Sequence, residues 1–304
     1  MSSFRERNDP KRHSSKNRTQ NLSDRGKAPV VKAIQVARNE DDKRRKPQHN
    51  HKHKTNDDGW LWGVHAVEAA LKNSLREGPI KLYLSEERAK SAPQTLFKRT
   101  DIRISVLPMS EISRFLPQGA VHQGMAFQAP VLEGDSLDAI MMADTSTGQQ
   151  VILMLDQVTD PQNIGAIFRS AAAFGAQGLI MQDRHSPPMQ GVLAKTAAGA
   201  VDVVPFSRVT NLSRALETLS ENGYVSVGLA GDGELNLHEL LAHQGWGENL
   251  KKLVLVLGSE GEGLRRLVAE HCDHLARIPM PGGFESLNVS HAASISLYEA
   301  CARH

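Results

Sequence analysis

Three short segments concentrate the residue types that hold and orient polar ligands. The first runs Asp156-Gln157-Val158-Thr159-Asp160-Pro161-Gln162-Asn163-Ile164-Gly165-Ala166-Ile167-Phe168-Arg169. Pro161 fixes a turn, and Asn163 is placed to cap the helical pattern that follows. Gly165, in the first turn of that pattern, allows another chain or a ligand close to the backbone. Arg169 lies among alanines and a phenylalanine. An arginine there is either a salt-bridged edge residue or a planar donor for phosphate.

The second segment is Leu257-Gly258-Ser259-Glu260-Gly261-Glu262-Gly263-Leu264, where an apolar run opens into three glycines and then a helical pattern. Such a corner lines a tight turn with backbone N–H groups. It lacks the Gly-Lys-Ser/Thr of a P-loop and the glycine spacing of a dinucleotide fingerprint. Glu260 and Glu262 would repel a pyrophosphate, so a ligand with hydroxyls or positive charge suits it better. In the third segment, Ile278-Pro279-Met280 leads through Gly282-Gly283 to Ser286-Leu287-Asn288-Val289-Ser290. An N-cap explains Ser286 but not the whole pattern. Three corners of one design point to a single site.

The elements that must position these corners follow from hydropathy. From Val151 the chain alternates apolar runs (151–155, 179–181, 201–204, 224–229, 253–257, 275–278) with helical patterns (164–174, 188–198, 212–219, 264–271, 289–302). That alternation predicts a parallel α/β sheet covered on both faces, with ligands at the carboxyl ends of its strands. Upstream, 59–130 reads as a small α/β module. It has a helical stripe at Val64, Val67, Ala70 and Leu71, and strands at 80–84, 102–106 and 125–129. Helical stretches near 95–99 and 110–115 separate those strands. His122 lacks a nearby base or metal partner and reads as structural. Residues 131–149 read as a connector with a short helix.

Together the motifs Asn163-x-Gly165-x-x-x-Arg169, Gly258-Ser259-Glu260-Gly261-x-Gly263-Leu264 and Ile278-Pro279-Met280 with Ser286-Leu287-Asn288-Val289-Ser290 resemble those of the SPOUT-class, TrmH-type RNA ribose 2′-O-methyltransferases. The resemblance covers about residues 60–304. Gly119-Ala120-Val121-His122-Gln123-Gly124 and its surroundings are similar to the substrate-binding domain of the RlmB branch, which acts on a guanosine of 23S ribosomal RNA. The resemblance implies a trefoil knot in the domain spanning 150–304, a homodimer, and S-adenosylmethionine as cofactor with no metal. It implies that the backbone at Gly258, Ile278 and Leu287, with Met280 and Gly263, holds that cofactor. Arg169, Asn163, Glu260, Ser286 and Asn288 match the functional polar positions, with Arg169 gripping the target nucleotide and Glu260 placed to fix Arg169. The rivals are a tRNA ribose as substrate and an RNA-binding protein that has lost turnover. No polar motif position is degraded, which argues against the second.

Composition sets the surroundings. Residues 1–58 carry 16 Lys/Arg against 8 Asp/Glu, whereas the whole chain is only +2. A segment so basic and so poor in apolar residues is expected to be disordered alone and to suit a nucleic-acid tether. Its acids (Glu6, Asp9, Asp24, Glu40, Asp41, Asp42) argue against a transit peptide. Cys272 and Cys301, the only cysteines, sit in apolar helical patterns without metal-site spacing and are expected to be buried free thiols. No apolar run has the length of a membrane span, so a reducing cytoplasmic compartment without membrane contact is expected.

Overall fold

In Ile80-Lys81-Leu82-Tyr83-Leu84 the three aliphatic side chains are buried while Lys81 is exposed, as a half-covered strand requires. The computed structural model describes residues 59–143, 148–284 and 286–301. The basic N-terminal tail read from the sequence lies outside them. Strands β1 (Trp60–Trp62), β2 (Ile80–Leu84), β3 (Ile102–Val106) and β4 (Met125–Gln128) form a sheet in the order β1-β4-β2-β3. β2 and β3 run parallel; the other neighbours are antiparallel. Helix α1 (Val64–Lys72) packs Val67 and Ala70 with Leu82 and Phe127 on one face. Helix α3 (Met109–Ser113) places Ile112 with Trp62 and Ala126 on the other. Hydropathy does not reveal β1 or α2 (Glu86–Ser91). Trp-Leu-Trp is too short to show alternation, and α2 buries no residue that would give it a stripe.

His122 is buried and structural, as expected. Its Nδ1 accepts from the Gly124 N–H at 3.2 Å, and its Nε2 lies 2.9 Å from Ser113 Oγ, tying α3 to the entry of β4. Ser113 Oγ donates to the Met109 carbonyl, so it receives the Nε2 proton of a neutral imidazole. Helix α4 (Leu137–Met142), capped by Ser136, follows and buries Ile140 in the core of the next sheet.

That sheet has seven strands: β5 (Gln150–Leu155), β6 (Gly178–Gln182), β7 (Phe206–Val209), β8 (Val225–Leu229), β9 (Leu235–Asn236), β10 (Lys252–Leu257) and β11 (His274–Arg277). Their order is β7-β6-β5-β10-β8-β11-β9, and every pairing is parallel. The central strands β5 and β10 are buried on both faces, which is why they read as unbroken apolar runs. Leu153 and Leu255 face a core shared with α5 (Pro161–Phe174), α6 (Gly191–Ala197), α8 (Leu237–His243) and α10 (Val289–Cys301). Ile152, Met154 and Val254 face α4, α7 (Leu212–Glu221) and α9 (Arg266–Glu270). Gly175, with φ 70°, ends α5 in the left-handed conformation expected of a glycine there.

Two sequence expectations fail locally. Residues 201–204 are not a strand: Ala200–Asp202 form a 3-10 turn, and β7 begins only after Pro205. Arg76 and Asn73 capture the Asp202 carboxylate, a tertiary contact that overrides the β propensity of the valines. Cys272 lies in the turn after α9 rather than in a helix. No described helix is long and apolar enough to cross a membrane.

Candidate active site

Because the seven strands are parallel, the loops leaving β5, β8, β10 and β11 emerge at one edge of the sheet. Three of them meet in a pocket. Leu229, Ala230 and Gly231 after β8, Leu257 to Glu260 and Gly263 after β10, and Ile278 and Met280 after β11 line it. Ser286, Leu287, Val289 and Ala292 complete it from the start of α10. All five expected cofactor residues, together with Glu260 and Ser286, therefore share one cavity. The loop at Ala230 is not among the three sequence motifs, although an apolar strand running into Gly231-Asp232-Gly233 carries the same signal as the other corners.

The β10 corner is a closed turn. Ser259 and Gly263 exchange backbone hydrogen bonds at 3.1 Å in both directions. Gly261 and Gly263 have φ of 91° and 67°, where a side chain is strained. A Cβ on Gly258 would overlap the Gly263 backbone, so the turn can close only over glycine. Beneath it Asp156, fully buried at the end of β5, accepts from Arg265 through the backbone N–H at 2.8 Å and Nε at 2.7 Å.

Glu260 joins the three motifs. Its Oε1 accepts from Asn163 Nδ2 at 3.0 Å, Asn288 Nδ2 at 2.6 Å and the Val289 N–H at 3.3 Å. Asn288 Nδ2 also donates to Asn163 Oδ1 at 2.9 Å. Asn288 Oδ1 in turn accepts the Ser290 N–H at 2.9 Å, capping α10. The expected cap residues thus change places. Asp160, not Asn163, caps α5 through the Gln162 N–H at 3.0 Å, with Pro161 in the first turn. Asn288, not Ser286, caps α10.

Glu260 is therefore not the partner of Arg169, contrary to expectation. Arg169 is exposed on α5, does not line the pocket, and makes no hydrogen bond or ion pair among the described residues. Gly165 does allow a close approach to its backbone, but what approaches is α6 of the same chain. A Cβ there would come within 2.6 Å of the Leu193 carbonyl, so the glycine exists to bring α6 against α5. Among the described residues no lysine or arginine lines the pocket, and Glu260 is its only charged group. Burial pushes the Cys272 thiol up to about 12 and the Cys301 thiol up to about 11, leaving both as inert thiols.

Comparison with known proteins gives two family matches. Residues 150–298 match the SpoU rRNA Methylase family, and residues 60–133 match the RNA 2′-O ribose methyltransferase substrate-binding family. A 23S rRNA (guanosine-2′-O-)-methyltransferase RlmB from Pseudomonas aeruginosa is 39% identical over 246 residues, covering 79% of this chain and 94% of that protein. An uncharacterized tRNA/rRNA methyltransferase from Synechocystis is 39% identical over 244 residues; the match spans 79% of this chain and 61% of the length of that relative. The crystal structure of the SpoU methyltransferase AviRb from Streptomyces viridochromogenes, in complex with AdoMet, has the same fold. Its TM-score is 0.64 at 22% identity, with 80% of this chain and 89% of that one covered. With both of its sheets matched in this way, the chain belongs to the SpoU rRNA methylase family.

Proposed function

We propose that this protein uses S-adenosylmethionine to methylate the ribose 2′-hydroxyl of a guanosine in 23S ribosomal RNA. One observation carries the chemistry: the Glu260 carboxylate ties Asn163 of α5 and Asn288 of α10 to the glycine turn that walls the pocket. The 23S target is supported by the likeness to the Pseudomonas aeruginosa RlmB over nearly its whole length. The pocket fits the cofactor by its chemistry. Aliphatic walls (Leu229, Leu257, Ile278, Leu287) suit an adenine ring, and a lone carboxylate without basic neighbours suits a cationic sulfonium. When bound, the cofactor supplies an electrophilic methyl group.

The chain's own residues do the rest. Gly258 and Gly263 shape the turn, while Ile278, Met280 and Leu287 line the opposite wall. Glu260 already accepts three hydrogen bonds, so it positions the site rather than acting as a base. Ser286, which lines the pocket, positions the ribose or the cofactor carboxylate. Arg169 is exposed and uncommitted, as a clamp on an RNA phosphate must be before substrate arrives. A guanidinium offers donors and no acceptor, so the hydroxyl proton leaves to phosphate or water. Holding the two reactants aligned supplies most of the acceleration.

The same reading extends to the assembly. Residues 59–130 bind substrate, 131–149 connect, and 150–304 carry the knotted catalytic domain. A homodimer would cover Ile295 and Tyr298, large apolar side chains left exposed on α10. The protein works in the cytoplasm, where its RNA target lies. Residues 1–58 add a non-specific tether. Their deletion is expected to weaken RNA affinity and flatten its salt dependence while sparing cofactor affinity; an unchanged salt slope would exclude that role.

The decisive experiment incubates the protein with 23S rRNA, tRNA and labelled S-adenosylmethionine and maps the methylated ribose. Label confined to tRNA, or absent altogether, would overturn the proposal. Arg169→Ala should abolish transfer while calorimetry finds cofactor affinity unchanged; retained turnover would remove Arg169 from the mechanism.

A further inference from the structure

The four-stranded sheet has one face only half covered. α3 and the residues after it shield Trp62 and Ala126. Next to them the strand register lines up a polar row, Trp60–Gln128–Lys81–Arg103, across all four strands. Lys81 and Arg103 are exposed, and Lys81 Nζ donates to Gln128 Oε1 at 3.2 Å. Against this row stands an aromatic cluster. Phe115 stacks on Trp60 with centroids 5.7 Å apart and planes 11° apart, and Tyr83 lies 5.6 Å from Trp60 and 4.9 Å from Phe115. All three rings are partly open to solvent.

We propose that this face, built by Trp60, Tyr83, Phe115, Lys81 and Arg103, binds a single-stranded segment of the RNA substrate. The inference deepens the RNA methylation reading above by assigning a surface that reading leaves unspecified. Two features select the occupant. The partly exposed rings leave aromatic surface against which unpaired bases can pack, whereas a duplex hides its base faces. Two cations on adjacent strands lie in the same row as Trp60, where they can follow a phosphate backbone beside stacked bases. Tyr83 adds a neutral hydroxyl, held protonated by burial, as a donor to a base edge or a 2′-hydroxyl.

The test measures binding of a mixed-sequence single-stranded oligoribonucleotide, with its duplex as control, by fluorescence anisotropy on the full chain. Single strand should bind more tightly than duplex. Trp60→Ala should weaken single-strand binding about 5- to 160-fold, the range for loss of one stacked base. Lys81→Glu with Arg103→Glu should weaken it and lower the salt slope by about 0.7 for each phosphate no longer neutralised. Both changes should leave S-adenosylmethionine affinity intact. Since Trp60 contributes to the module's packing, the paired charge reversal at two exposed positions keeps the test valid if Trp60→Ala fails to fold. Equal affinity for duplex, or charge-reversed protein that binds like wild type, overturns the inference. Binding and turnover separate the two proposals. RNA held by this face without methyl transfer sinks the methylation reading alone, and methyl transfer indifferent to these variants sinks this one alone.

Discussion

One carboxylate oxygen, Glu260 Oε1, receives donors from α5, from the Asn288 side chain and from the first residue of α10. All three donors share one oxygen that carries part of a full negative charge; a glutamine could keep an oxygen in that place but would lose the charge that strengthens the three bonds. Charge-assisted bonds are worth about 1.5–3 kcal/mol, and the exposure of Glu260 trims that figure. Glu260→Gln is therefore expected to weaken S-adenosylmethionine binding about tenfold, read by calorimetry; equal affinity would mean that the pocket does not depend on the joint. The residue types at this joint are legible in the sequence, since Asn163, Glu260 and Asn288 all fall on functional motif positions. Their pairing is not. Asn163 follows a proline-containing turn and reads as a cap, but Asp160 directly before Pro161 is the stronger signal, because proline favours the first helical position.

At the scale of elements, the strands buried on both faces are readable because packing acts on each residue independently of its distant partners. β5 and β10 are such runs. The 201–204 segment shows the opposite case, where a remote arginine decides the local conformation. Gly165 is similar: its helix is expected from the pattern, but the reason for the glycine is the α6 backbone lying against it. The α3–β4 joint holds a titratable element. His122 is neutral, with Nδ1 accepting a backbone N–H and burial lowering its pKa from the usual 6.5. With a folded-state value depressed, the unfolded chain takes up the proton first. Stability is therefore full above about pH 6.5 and is lost as pH falls through that value towards the folded one. Urea midpoints should drop as the pH falls below about 6.5, and His122→Asn should flatten that part of the profile. An equally steep profile in the variant would assign the effect to other groups.

Across the whole molecule, one buried ion pair joins the substrate module to the seven-stranded sheet. Arg76, just beyond α1, donates to Asp202 through Nε at 2.5 Å and Nη2 at 3.2 Å, and both side chains are only 1% exposed. Asn73 donates to the same carboxylate at 3.0 Å, and Arg76 reaches the Pro130 carbonyl at 3.3 Å. The contact thus binds the end of α1, the exit of the first sheet and the turn before β7. A buried pair gains little over well-packed apolar residues, but a half-broken one leaves an uncompensated charge. Arg76→Met should accordingly cost about 3–5 kcal/mol in urea unfolding, and adding Asp202→Leu should restore most of the loss. If the pair serves orientation as well, the restored double variant should keep its affinity for S-adenosylmethionine yet show a raised KM for RNA. A bidentate pair adds a directional constraint that apolar contact lacks. A double variant with normal KM would reduce Arg76 and Asp202 to a stability element, and a single variant as stable as wild type would deny them even that.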